Sequence, residues 1–228
     1  MKNITVIVPT RNRYSKLMTM IRSIPNIGNI DIHVVCDNDR ETYEKLNDLN
    51  INNIKVSLTD SHCGSVYCRN LASNTVKDGL LYATDDIIFS SGAIEQALKT
   101  FNLKFKDDDG VVGFNQLGDS KFHVTGVALV GQKFLLRYPN KHLFFPGYFH
   151  FCCQEVHILS SLFNKFVFDD KATLIHKHPC KFRKLMDETH AEARKHKTRD
   201  FEIRKQRSAN GEVWGLKGKI WDYTNDRK

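Results

Sequence analysis

The sequence predicts an α/β fold with a mostly parallel central sheet, helices on both faces and a basic helical C-terminal extension. Short β-branched runs alternate with helix-length segments, a pattern typical of a parallel sheet covered on both sides. The 228 residues are 41% hydrophobic, which is enough for one sizeable core. We therefore expect one main domain over residues 1–180, followed by an extension over residues 181–228 that packs on or over the site.

The first predicted unit is a strand followed by a helix. Residues 4–8 read Ile-Thr-Val-Ile-Val, a run suited to a buried parallel strand, and we expect Pro9 to end it. A helix is predicted over residues 15–23, because Ser15 can cap its first turn and Pro25 can end it.

Strands and helices then continue to alternate. Residues 32–36 and 54–58 have strand composition, and residues 41–49 between them have a helical pattern. A further helix is predicted over residues 65–77, and the chain then enters a strand that ends at Asp85. Because the carboxyl ends of parallel strands share one edge of a sheet, we expect a ligand site there.

Two adjacent acids, Asp85 and Asp86, interrupt an apolar run over residues 80–89. Burying an unpaired carboxylate costs several kcal/mol, so such acids are usually neutralised by a basic side chain or a metal ion. Mg²⁺ and Mn²⁺ prefer oxygen ligands and often share their coordination shell with substrate phosphates. The pair therefore indicates diphosphate chemistry, an interpretation that neutralisation of both acids by lysine or arginine would contradict.

The net charge of +8 comes from the C-terminal part of the chain. Residues 171–228 contain 16 Lys and Arg against 8 Asp and Glu, whereas the first 170 residues contain 18 of each kind. A basic segment on a neutral body can bind a polyanion such as nucleic acid, or the phosphates of a bound nucleotide. A solvated helix of alternating charge explains the same composition.

Some classes of protein are disfavoured by what the sequence lacks. Six cysteines without a framework spacing favour a reducing compartment, and no run reaches the roughly 18 apolar residues of a membrane span. We expect a cytoplasmic protein without a membrane span. The glycine-rich loops of dinucleotide-binding folds and P-loop kinases are missing, so a different nucleotide site is required.

Several polar motifs occur in a fixed order. They are Pro-Thr-Arg-Asn-Arg at 9–13, Val-Val-Cys-Asp at 34–37, Cys-Arg-Asn at 68–70 and Thr-Asp-Asp at 84–86, with later segments at 145–155 and 174–179. In order and spacing, the chain resembles the inverting nucleotide-sugar glycosyltransferases of the GT-A fold, of the family 2 type. The resemblance implies a nucleoside-diphosphate sugar as donor and Mn²⁺ or Mg²⁺ as cofactor.

The resemblance also implies a donor site. Thr10 and Arg11 would contact the nucleoside, and Asp37 would accept hydrogen bonds from the base. Arg69 would bind phosphate oxygens, which suit its planar guanidinium. Simpler alternatives stay open, because Arg69 can form an ion pair on a helix surface and Asp37 can serve as a turn or cap residue.

A metal site is implied at the paired acids. Asp86 would contact the ion and Asp85 the ribose or a water molecule, although the two acids could exchange these roles. His176 would complete the coordination, and His178 competes with it because residues two apart in an extended segment share a face. An acidic turn without metal and a hydrogen-bonded interior histidine are the alternatives.

Inversion requires a base that takes the proton of the acceptor. Glu155 occupies the position of this base in the family, at the start of a predicted helix over residues 155–164. The dipole of that helix would favour the ionised carboxylate, as it would for an ordinary glutamate in a first turn. Asp169 and Asp170 are the alternative bases.

The sequence thus predicts a metal-dependent inverting hexosyl- or pentosyltransferase that uses a nucleoside-diphosphate sugar, with UDP as the expected nucleotide. The acceptor is left open between a modified nucleic-acid base and a soluble glycan. A nucleotidyltransferase on a related fold remains an alternative, although it would need a glycine in the loop after the first strand. A nucleic-acid binding module is the other alternative, but it leaves the acids at the strand ends without a role.

Overall fold

The computed structural model describes residues 1, 3–117, 124–150, 153–177 and 186–216. Their strands form one mixed sheet, in the order β3-β2-β1-β4-β7-β6-β8-β5. In chain order the strands are β1 (Ile4–Thr10), β2 (Ile30–Cys36), β3 (Ile54–Leu58), β4 (Gly79–Tyr82), β5 (Ile87–Phe89), β6 (Val111–Gln116), β7 (Ala128–Val130) and β8 (Phe166–His176).

Helices cover both faces of this sheet, so the predicted α/β fold is confirmed. One hydrophobic core contains apolar residues of α1, α2 and α4, and the other contains residues of α3, α5 and α6. The helices are α1 (Tyr14–Arg22), α2 (Arg40–Asp48), α3 (Gly64–Ser73), α4 (Ala93–Lys104), α5 (Gln132–Leu135), α6 (Cys153–Leu162) and α7 (Glu188–Ala209). Within the described ranges, no helix is both long and apolar enough to cross a membrane.

The prediction of a mostly parallel sheet is wrong, because the sheet is mixed. Strands β1 to β4 pair in parallel, but β7 is antiparallel to both β4 and β6, and β5 is antiparallel to β8. Composition identifies a strand but not its direction. It therefore does not reveal that β7 is antiparallel to both β4 and β6.

Pro9 does not end the first strand, which continues to Thr10. Pro9 pairs in register with Val35 of β2. The carbonyl of Ile7 accepts a hydrogen bond from the backbone nitrogen of Ala83, just after β4, so Pro9, two residues further on, faces the side where β4 has already ended. Its missing N–H therefore costs the sheet no hydrogen bond.

The paired acids do not lie at the end of one continuous strand. Strand β4 ends at Tyr82, and Asp85 and Asp86 lie in the turn that leads to β5. Strand β5 pairs with β8 at the far edge of the sheet, so the chain crosses the carboxyl edge of the sheet between the two strands. Asp85 lies beside the end of β1, where Thr10 Oγ1 donates to it.

His33, a buried residue of β2, makes the stability depend on pH. Its ring nitrogens lie 3.2 Å from Thr75 Oγ1 and 2.9 Å from Ser57 Oγ, and burial lowers the pKa of His33 to about 4. Because the unfolded chain takes up this proton near pH 6.5, the contribution of neutral His33 is complete above that pH and is lost as the pH falls towards 4. When the pH is lowered from 6.5 to 5, we expect the free energy of unfolding of His33→Gln to fall by about 2 kcal/mol less than that of the wild type. Urea unfolding at both pH values measures this difference, and equal losses would contradict it.

Candidate functional site

A pocket opens at the carboxyl edge of the parallel strands and holds about 510 Å³ including its mouth. The structure brings together five residues predicted from the sequence, and all of them line this pocket: Thr10, Arg11, Asp37, Arg69 and Asp85. Asp86 lies in an adjoining pocket, whose lining Asp85 shares. The far wall of the first pocket comes from Phe149, His150 and helix α7.

Asp85 is 3% exposed and makes two short hydrogen bonds. Thr10 Oγ1 donates to Asp85 Oδ2 at 2.9 Å, and Arg13 Nη1 donates to Asp85 Oδ1 at 2.9 Å. Burial raises the pKa of Asp85 in spite of the nearby guanidinium. Arg13 also lies 3.8 Å from Asp86 Oδ2, so one guanidinium contacts both acids and Asp85 is its closer partner. The contact with arginine that would contradict the diphosphate interpretation is thus present at Asp85 and, at the longer distance, at Asp86.

Asp86 lies between two imidazole rings. His176 Nε2 is 3.3 Å from Asp86 Oδ1, and His190 Nε2 is 3.1 Å from Asp86 Oδ2. Thr84 Oγ1 donates to Oδ1 at 2.7 Å. Although burial alone raises the pKa of Asp86, the hydrogen bonds from the two histidines hold it well below its usual range. His178, the competing candidate, lies outside the described residues.

Asp187 joins the first turn of α7 to the loop after β1. This residue caps the helix by accepting from the backbone nitrogen of His190 at 3.0 Å. Arg13 Nη2 and Lys16 Nζ donate to the same carboxylate at 2.6 and 2.5 Å. Burial raises the pKa of Asp187, but the hydrogen bonds from Arg13 and Lys16 outweigh burial and lower it.

The next turn of α7 crosses the pocket. Thr189 Oγ1 donates to the carbonyl oxygen of Arg11 at 2.9 Å, and Glu192 lies 3.2 Å from His62 Nε2 and 3.6 Å from Arg11 Nε. These contacts place α7 over the pocket. The predicted domain boundary at residue 180 stays a prediction, because residues 178–185 lie outside the described part of the chain.

Asp37 binds the first turn of α3. Its carboxylate accepts from the backbone nitrogens of Cys63 at 2.7 Å and Gly64 at 2.9 Å, and His62 Nδ1 lies 2.7 Å from Oδ2. Gly64 has a φ of +86°, and a Cβ atom there would lie 2.6 Å from the carbonyl oxygen of Phe149. The position therefore requires glycine. The cap of the helix that follows the 37–39 loop is Asp39, not Asp37, and the predicted contact of Asp37 with a base stays a prediction.

Both predicted arginines of the pocket donate to backbone carbonyls near the strand ends. Arg11 Nη1 donates to the carbonyl oxygen of Asp37, and Arg69 Nη2 to that of Ala83, each at 3.2 Å. Arg69 is buried, and its guanidinium lies 5.8 Å from the ring centroid of Phe144. Arg69 is therefore buried, not exposed on the helix surface, and its contact with phosphate oxygens stays a prediction.

Helix α7 also holds the loop of Phe149 and His150. Asp200 is fully buried, and its carboxylate accepts from the backbone nitrogens of Phe149 at 2.9 Å and His150 at 2.8 Å. The ring of His196 stacks on Phe149 with the centroids 3.7 Å apart. One wall of the pocket is thus positioned by side chains far away in sequence.

Glu155 lies in the first turn of α6, where both oxygens of its carboxylate are bonded. Tyr148 Oη donates to Oε1 at 2.6 Å, and Arg207 donates to Oε1 at 3.1 Å and to Oε2 at 2.9 Å. The backbone nitrogen of Trp214 also donates to Oε2, at 2.5 Å. Glu155 is not among the described residues that line the donor pocket. The structure therefore places Glu155 at the junction of α6 and α7, and its role as base stays a prediction.

The alternative bases lie elsewhere. Asp169 is buried in β8, where it accepts from Thr100 Oγ1 at 2.5 Å and Gln96 Nε2 at 3.0 Å. These partners belong to α4, on the opposite face of the sheet from α7. Asp170 is exposed. Neither residue lines the described part of the donor pocket.

Sequence reasoning missed several residues of these clusters, among them Arg13, Asp187, His190 and Arg207. Arg13 lies in the motif at 9–13, where only Thr10 and Arg11 were given roles. The other three belong to the first turn, cap or last turn of α7, where charges of both signs alternate. The alternation of charges does not show which charged side chains form ion pairs with the rest of the protein and which face solvent.

Comparisons with known proteins agree with this architecture. No family model matches the chain, and no curated protein matches it either. Solved structures do match. A mannosyltransferase, PcManGT from Pyrobaculum calidifontis, in complex with GDP-Man and Mn²⁺, superposes with a TM-score of 0.65 and 12% identity, over 90% of this chain and 64% of that one.

Two structures of residues 1–349 of S. aureus TarS also match. One has a TM-score of 0.57 and 15% identity, over 92% of this chain and 75% of that one. The other, in complex with UDP, has a TM-score of 0.60 and 16% identity, over 91% and 74%. The chain thus spans less than two thirds of the mannosyltransferase and about three quarters of the TarS structures. These neighbours are GT-A type glycosyltransferases, and the resemblance seen in the sequence is confirmed at the level of the fold.

Proposed function

We propose, from the GT-A fold that the chain shares with these glycosyltransferases, that it transfers a sugar from a nucleoside diphosphate to an acceptor hydroxyl with inversion. The observation that carries the proposal is the convergence of Thr10, Arg11, Asp37, Arg69 and Asp85 on one pocket at the carboxyl edge of the sheet. A ligand site is expected at this edge in open α/β sheets. The donor complexes of the neighbours, with GDP-Man and with UDP, support the same class of ligand.

In the proposed transfer, each residue of the site has a separate role. The bond between the anomeric carbon and the phosphate oxygen breaks, and the diphosphate leaves with the electron pair. A bond forms between that carbon and the acceptor oxygen, whose proton passes to a base. Glu155 stays the residue predicted for this base, and it lies outside the described lining of the donor pocket. Arg11 and Arg69 on the pocket wall offer positive charge to the donor phosphates. Helix α7 covers the pocket and limits access of water to the reacting centre.

Asp86, His176 and His190 are the residues that would hold a divalent cation. The Nδ1 atoms of His176 and His190 lie 2.8 Å from Gln116 Oε1 and 2.7 Å from Asp187 Oδ1, and both Nε2 atoms face Asp86. Among the described residues no group of three such side chains forms a ready metal site, so binding an ion would require the ring nitrogens to leave these partners. A set of one carboxylate and two imidazoles favours Mn²⁺ over Mg²⁺. When bound, the ion would supply Lewis-acid stabilisation of the leaving diphosphate.

A thermal-shift experiment tests the proposed donor and cofactor. We expect a nucleoside-diphosphate sugar at 100 times its Kd, with Mn²⁺, to stabilise the protein by about 2.7 kcal/mol. UDP-, GDP- and dTDP-sugars are compared with and without Mn²⁺, and with Mg²⁺ in its place. The corresponding free sugars are the control, since they lack the phosphates. The absence of a shift in every combination would contradict the proposed function.

A further inference from the structure

Helix α7 carries a cationic face on its outer side, which the proposed donor chemistry does not use. The helix has two sides of different character. Its inner side is held to the body by the buried residues Asp200 and Arg207. The exposed acids of the helix are Glu188 and Glu202. The outer cationic face consists of the exposed residues Arg194, Lys195, Lys197, Arg199 and Lys205, and Glu202 lies among them beside Arg199 and Lys205.

The cationic face begins at the mouth of the donor pocket. Glu192 and Ala193 line the pocket, and Arg194 is the next residue along the helix. With a rise of about 1.5 Å per residue, the face extends for about 16 Å from Arg194 to Lys205. In duplex DNA each strand carries one phosphate per about 3.4 Å of helix axis, so the length of the face corresponds to about five phosphates of one strand measured along the duplex axis.

The composition of this face favours nucleic acid over a membrane surface. A helix that lies in a membrane interface needs a broad apolar side beside its charges. The corresponding side of α7 instead packs on the protein through Asp200, Arg204 and Arg207, all of which are buried. Phe201 is 43% exposed among the cations, and an exposed aromatic ring between basic side chains is suited to stacking on a base.

We propose that the outer face of α7 binds a nucleic-acid strand and brings one nucleotide to the mouth of the donor pocket as the acceptor. The proposal rests on the proposed function, since it names the acceptor class for that transfer. The cations bind the phosphodiester backbone without regard to sequence. His150, whose backbone nitrogen is held by Asp200, lines the pocket mouth where the acceptor nucleotide would lie.

The test measures binding of short fluorescein-labelled oligonucleotides by anisotropy over a series of salt concentrations. Single-stranded DNA, duplex DNA and RNA are separate arms. The variant Arg194→Gln/Lys197→Gln/Lys205→Gln removes three cations from the face. The control Lys99→Gln/Lys104→Gln/Lys106→Gln removes three exposed lysines in and just after α4, which packs on the opposite face of the sheet.

We expect the wild type to bind at least one arm with an affinity that falls steeply with salt. In the α7 variant the slope of log K against log salt should become less negative by about 2 to 3. Binding at low salt should weaken by roughly ten-fold or more. The α4 control should stay within about two-fold of the wild type, because its cations lie away from the proposed path.

Other outcomes would overturn the proposal. One is an equal loss of oligonucleotide binding in the two triple variants. The other is binding of phosphatidylserine vesicles by a protein that binds no oligonucleotide. The donor-induced thermal shift is measured on the same proteins, and it should be unchanged in the α7 variant. A donor shift without oligonucleotide binding would refute this inference and leave the proposed function standing. Oligonucleotide binding without any donor shift would refute the acceptor role.

Discussion

Arg207→Leu is expected to destabilise the protein by about 3 to 5 kcal/mol, the cost of breaking a buried ion pair by removing one partner. Arg207 donates to both oxygens of Glu155, and leucine preserves much of its packing while removing the charge. The carboxylate would then be buried with only the hydroxyl of Tyr148 and the backbone nitrogen of Trp214 as donors. Urea unfolding of the purified variant measures the loss.

Two comparisons make this test specific. Lys205→Leu replaces an exposed cation on the same helix and should change stability by at most about 0.5 kcal/mol. The double variant Arg207→Leu/Glu155→Leu should recover much of the loss, because replacing both members of a buried pair with apolar residues is often neutral. A loss below about 1 kcal/mol in Arg207→Leu would show that this pair does not hold α7 to α6.

The ion pair of Arg207 with Glu155 also affects the test of Glu155 as the base. Glu155→Gln keeps the shape of the side chain and can still accept at one oxygen. If Glu155 is the base, this variant binds the donor with an unchanged thermal shift and loses turnover. If Glu155 only joins α6 to α7, turnover at a temperature below unfolding stays close to that of the wild type, and the base assignment is refuted.

Asp86→Asn is expected to abolish the part of the donor-induced stabilisation that depends on Mn²⁺. Asn offers one neutral oxygen in place of the carboxylate that faces His176 and His190, and neutral ligands bind a divalent cation much more weakly. The loss should approach the whole metal-linked increment, which is of the order of 2 to 3 kcal/mol near donor saturation. Thermal shift with and without Mn²⁺ measures it, and Mn²⁺ binding can be followed separately by its paramagnetic resonance.

Asp170→Asn is the matched control for this experiment. Asp170 is an exposed acid on β8, the strand that also carries His176, and its replacement should leave the Mn²⁺-dependent shift unchanged. His190→Gln should weaken Mn²⁺ binding, because its ring faces Asp86 from the side opposite His176. A Mn²⁺ response in Asp86→Asn equal to that of the wild type would remove Asp86 from the proposed metal site.

Local sequence pattern was enough to predict the α/β class, the strands at 32–36 and 54–58, and the gathering of strand-end residues at one edge. These features depend on local composition and on the rule that parallel strands end at the same edge. For the same reason the sequence predicts that Thr10, Asp37 and Asp85, which lie at the ends of different strands, share one site.

The mixed pairing of β7 and the partners of the buried charges became known only from the three-dimensional structure. Strand direction depends on connections that composition does not encode. The pairs Arg13–Asp85, His190–Asp86 and Arg207–Glu155 join residues 72, 104 and 52 positions apart. The first pair is brought together by the neighbouring strands β1 and β4, and the other two by the packing of α7. A buried charge shows its need for a partner in the sequence without showing which residue meets that need.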